Sequence, residues 1–74
     1  MMIIRSSRPS RRDKYPRGSL CKTVKPSTDV FEMYVQTNHD KDNPQWEKAG
    51  IFSLETQDTI TEAVNKILQR NTVL

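Results

Sequence analysis

The sequence holds one cysteine, one histidine, one tryptophan and two glycines in 74 residues. Each scarcity excludes a class of protein. A lone Cys21 cannot build a disulfide framework, so no oxidising compartment is required. One His and one Cys fall short of a zinc site. No stretch approaches the ~20 apolar residues that cross a bilayer, and residues 1–4 are too short for a signal-peptide core before Arg5 interrupts them. Two glycines cannot form a Gly-rich phosphate cradle. Asp40-Lys41-Asp42-Asn43 has the outline of a calcium loop but lacks its Gly and its closing Glu, since Ile51 stands at the twelfth position. His39 reads as a solvated loop side chain with no nucleophile to serve, and Cys21 as a small strand residue. The expectation is one small cytoplasmic domain that binds without catalysing, with neither metal nor cofactor and no membrane.

What the chain does have is a charge split. The formal net charge is +3. Residues 1–25 carry Arg5, Arg8, Arg11, Arg12, Lys14, Arg17, Lys22 and Lys25 against Asp13 alone, so they sum to +7. Residues 26–74 carry four bases and eight acids and sum to −4. After Ile4 the first eighteen residues offer Tyr15 as their one large apolar side chain, with Pro9, Pro16 and scattered serines. They read as a flexible basic arm, residues 1–18, ahead of a folded body, residues 19–74. Five Arg to one Lys in that arm favours forked recognition of phosphates or base edges over mere solubilisation, and Lys25 beyond it is a further candidate nucleic-acid contact.

In the body the period is first two. Residues 19–24 form a short candidate strand closed by Lys25-Pro26-Ser27. Residues 30–37 alternate cleanly, with Phe31, Met33 and Val35 on one face and Glu32, Tyr34 and Gln36 on the other. Residues 38–45 are a polar loop, and residues 46–54 a third strand in which Gly50 signals a bulge or a close backbone approach. The period then becomes 3.6. Ile60, Ala63, Val64, Ile67 and Leu68 make one apolar helical stripe, Thr59 and Glu62 have capping-box spacing, and Asn71 can close the helix. The expected fold is α+β: a three-stranded antiparallel sheet packed on one C-terminal helix. Its core is Leu20 or Cys21, Val24, Phe31, Met33, Val35, Ile51 or Phe52, and the stripe. The opposite face would expose Glu32, Tyr34 and Gln36, with either Trp46 and Lys48 or Glu47 and Ala49. So small a core suits a monomer or a weak dimer.

Arg17-Gly18-Ser19-Leu20-Cys21-Lys22 resembles the first-strand opening of the arm-type DNA-binding domains of tyrosine recombinases, the phage and transposon integrases. Their aromatic second strand is matched by Phe31-Glu32-Met33-Tyr34-Val35. Their Gly-x-Phe step and helix are matched by Gly50-Ile51-Phe52 and Thr59-Ile60-Thr61-Glu62-Ala63. Residues 53–58 lengthen the connection between the last two, and the strands hold few bases. The resemblance implies a basic tail, a three-stranded sheet and one helix, a layout similar to plant ethylene-response-factor domains. It implies that Lys22, Tyr34, Gln36 and Lys48 enter a major groove while Arg5, Arg8, Arg11, Arg12, Lys14 and Arg17 take phosphates or a minor groove. It places the chain with phages or mobile elements, as a DNA-binding module without a catalytic domain. DNA is favoured over RNA as partner, although a ribonucleoprotein component remains a reading. The alternative is a small accessory protein that binds a host protein, since residues 56–64 also resemble the helix start of small antitoxin domains.

Overall fold

Two apolar periodicities, one of two residues and one of 3.6, are joined where a helix lies across a sheet. The computed structural model describes residues 1–53 and 57–70. In chain order the elements are β1 (Met2–Arg5), β2 (Leu20–Val24), β3 (Val30–Gln36), β4 (Trp46–Ser53) and α1 (Gln57–Arg70). The sheet order is β1-β2-β3-β4, with β2–β3 and β3–β4 antiparallel. The fold is α+β, with the helix at the C-terminal side of the described chain.

The three-stranded antiparallel sheet expected from the sequence is instead four-stranded and mixed. β1 pairs parallel with β2, in the register Met2↔Leu20 to Arg5↔Thr23. Parallel neighbours need a crossover of a dozen or more residues. Residues 6–19 supply it without forming a helix. The arm expected over residues 1–18 is thus an edge strand followed by a strap, and the strap returns over the sheet face opposite the helix.

The β3 alternation decides both faces. Phe31, Met33 and Val35 are buried against Ile60, Val64 and Ile67, with Leu20, Val24, Ala49, Phe52 and Leu68 packed around them. Among the described residues, the strands that α1 packs on are β4 and β3. Of the open alternatives, Phe52 enters this core, whereas Ile51 is 60% exposed. Cys21 is fully buried, but on the strap face, because it pairs with Tyr34.

Gly50 sets that phase. The register passes from Met33↔Gly50 to Tyr34↔Lys48, so Ala49 is the extra residue of a bulge. Gly50 has φ +152°, and a Cβ there would lie 3.0 Å from the Phe52 ring. The positive φ strains any L side chain, and the ring would have to yield by a few tenths of an ångström. Gly50→Ala is therefore expected to cost roughly 2–3 kcal/mol in urea denaturation, from strain and displacement of Phe52. A change below a few tenths of a kcal/mol would show that the bulge relaxes freely.

Helix polarity follows the sequence, with Asp58 in the first turn and Arg70 in the last. The capping box does not, because α1 starts at Gln57 and Thr59 is already inside it. Asn71 as the closing residue and Leu54 as a strand end lie outside the described residues. Residues 30–36 are strand as expected, and Thr37 falls just beyond it.

Candidate nucleic-acid interface

The strap is held by polar groups aimed at backbone rather than by apolar mass, which its sequence lacks. At its start, Arg5 projects to the strap face and makes a forked pair with Asp13, Nη1 to Oδ1 at 2.8 Å and Nη2 to Oδ2. Asp13 also accepts from the Ser10 amide at 2.7 Å. The Arg5 guanidinium, helped by that amide, holds the Asp13 carboxyl below the usual carboxylate range.

At the middle, the Trp46 indole N–H donates to the Asp13 carbonyl at 3.2 Å, and Tyr15 meets Trp46 edge-to-face at 6.4 Å. Gln36 is fully buried. Its amide donates to the carbonyls of Tyr15 and Asn38, each at 2.9 Å, and its oxygen accepts from the amides of Asn38 and Gln45. One side chain thereby joins strap, β3 and the loop 37–45.

At its end, Arg17 Nε donates to the Thr37 carbonyl at 3.2 Å, and Nη2 to the Leu68 carbonyl in the last turn of α1 at 2.7 Å. A cation on a helix's terminal carbonyls also complements the helix dipole. Gly18, at φ +91°, then turns the chain, and Ser19 hydrogen-bonds back to the Pro16 carbonyl.

This arrangement divides the basic and sheet residues singled out in the sequence. Arg5 and Arg17 are committed to Asp13 and to backbone carbonyls. Lys22 lies on the helix face, its ammonium 4.3 Å from the Phe31 ring centre. Tyr34 and Gln36 are buried on the strap face. Lys48 pairs with Glu32 at 2.8 Å. That contact, with Lys25 and Arg8 nearby, holds the Glu32 carboxyl below its usual range. The sheet surface expected to enter a groove is therefore roofed over. Trp46 and Lys48, not Glu47 and Ala49, share the face of Tyr34, while Glu47 pairs with Arg70 on the helix side.

What remains outward is a smaller set. Arg8, Arg11, Arg12 and Lys14 are exposed on the strap, with Lys25 exposed at the β2–β3 turn. Arg11, Arg12 and Lys14 make no ion pair among the described residues. Arg11 also stands at an open groove of about 310 Å³ with Pro9, Ser10, Pro44, Gln45 and Trp46. Burial pushes the Cys21 thiol pKa up, which disfavours the thiolate a nucleophile needs.

Two residues that organise this surface were not singled out as such by the sequence. Asp13 had a signal, being the only acid among eight bases. Trp46 was expected as an outward aromatic on one of two alternative faces, but nothing in the sequence pointed to its bond with the strap. Comparison of the chain with protein-family models, with curated proteins and with solved structures finds no match.

Proposed function

We propose that this protein binds nucleic acid, duplex DNA foremost, through the rigid strap rather than through a sheet face or a mobile arm. The observation that carries the reading is the exposed set Arg8, Arg11, Arg12 and Lys14 on a backbone pinned by Asp13, Gln36 and Arg17. Because the backbone that carries these cations is already ordered, less chain entropy is lost on meeting a phosphate row, so more of the electrostatic gain appears as affinity. The resemblance to recombinase arm-binding domains points to the same ligand class. Buried Tyr34 and Gln36 speak for backbone contacts over base readout. The function is binding without catalysis.

Fluorescence anisotropy tests this with a labelled duplex, a structured RNA and polyglutamate, each over a range of salt. Duplex binding should weaken with a log–log slope of about −3 to −4, which is ~0.9 for each of four phosphate contacts, and depend little on sequence. No binding at low ionic strength overturns the reading. Preference for RNA moves it to a ribonucleoprotein component, and preference for polyglutamate to an acidic protein partner.

A further inference from the structure

The sheet has two edges, and they are built differently. β4 carries the Ala49–Gly50 bulge and the charged Lys48, two devices that discourage another strand from adding. β1 has neither. Its pairing with β2 runs without a register shift, it reads Met-Ile-Ile-Arg, and its one charge is turned back onto Asp13.

The hydrogen-bond phase shows which of its backbone groups are unused by β2. Leu20 N–H donates to the Met1 carbonyl at 2.9 Å, within the register Met2↔Leu20. In a parallel ladder that phase turns residues 1, 3 and 5 toward β2 and leaves the N–H and C=O of Met2 and Ile4 pointing away from the sheet. The side chains follow the same logic. Met2 and Ile4 share the face of Leu20, where, among the described residues, α1 packs on β3 and β4 and not on β1. They are 46% and 63% exposed, and Met1 is 76% exposed.

We infer that β1 is a self-association edge and that its occupant is the β1 of a second copy of this chain, antiparallel, centred on Ile3. The strand complements itself in this register. Met2 faces the partner's Ile4 and Ile4 faces the partner's Met2, so the outward amides and carbonyls exchange four hydrogen bonds. The same pairs bring the exposed Met and Ile side chains together on the helix side. Ile3 meets the partner's Ile3 as the close, non-hydrogen-bonded pair on the strap side. A four-residue seam buries less than a standard interface, so association is weak and visible only at high concentration.

An antiparallel seam has its twofold axis perpendicular to the sheet, so each layer of one copy continues as the same layer of the next. Both straps therefore lie on one side of an eight-stranded sheet, and the exposed cations of each strap double on a single surface. The inference goes beyond the nucleic-acid reading and stands without it.

The test uses the full chain and no nucleic acid. Sedimentation velocity from low micromolar to near-millimolar protein should show a concentration-dependent doubling of mass. Ile4→Lys changes an exposed side chain and should remain monomeric throughout, with an unaltered circular dichroism spectrum. In a Cys21→Ala background, Ile3→Cys should form an interchain disulfide under mild oxidation, because the close pair places Cα atoms about 4.5 Å apart. Met2→Cys, offset from its own copy by two positions, should not. A wild-type chain monomeric at every concentration overturns the inference. So does an Ile4→Lys chain that associates as wild type, or an Ile3→Cys chain that cross-links no better than Met2→Cys.

Discussion

Replacing Arg8, Arg11, Arg12 and Lys14 together by Gln is expected to lower affinity for duplex DNA by roughly 10³–10⁴-fold at 0.1 M salt. Four counterion-releasing contacts contribute a slope of about −3.6, and one decade of salt below 1 M converts that slope into the fold-change. The slope itself should flatten toward zero. The melting temperature should hold within a few degrees, since all four side chains are exposed and hold no part of the strap. Anisotropy titrations of the two chains against one duplex at several salt concentrations provide the measurement. An unchanged slope would move the contact elsewhere, and a large fall in melting temperature would show that the strap depends on these residues for folding.

Asp13→Ala is expected to do the reverse, with a large effect on stability and a small one on charge. The carboxylate accepts both arms of Arg5 and the Ser10 amide, and its side chain is 15% exposed. Its removal leaves a half-buried guanidinium without a counter-charge, with the Ser7 and Arg8 carbonyls as its remaining partners, and frees the strap at Ser10. The cost is about 3 kcal/mol, or more than 10 °C in melting temperature for a domain of this size. The pH dependence has a definite sign. Arg5 lowers the folded pKa of Asp13, so the stabilisation is complete above the unfolded value of about 3.9 and disappears as pH falls through the lowered folded value. Wild type should therefore lose stability on acidification below about pH 4, and Asp13→Ala should lose less over the same interval. Parallel acid profiles in thermal melts would reject the assignment of Asp13 as the strap's anchor.

These two results separate the outer and inner roles of one basic segment, and that separation explains how far the sequence could be read. The alternation of Phe31, Met33 and Val35 and the stripe of Ile60, Val64 and Ile67 are local patterns whose phase alone determines which face is buried. Gly50 announced the bulge because a positive φ needs the missing Cβ. The strap was invisible to this kind of reading. Its order comes from Arg5, Arg17, Gln36 and Trp46 bonding to backbone or to one acid, at separations of eight to fifty-one residues. No window of composition or periodicity registers such bonds. A segment rich in Arg, Ser and Pro resembles a solvated tail unless its single acid is matched to its distant partner.

The sequence by itself determined three strands, one helix, the inward faces of β3 and α1 and a cationic first third, since hydrophobic period and charge count are properties of neighbouring residues. Only the tertiary structure decided that residues 2–5 join the sheet in parallel, that Tyr34 and Gln36 are covered, and that Arg8, Arg11, Arg12 and Lys14 remain outside. Parallel pairing and strap closure depend on contacts between segments far apart in the chain, whose free energy appears only when both ends are already in place.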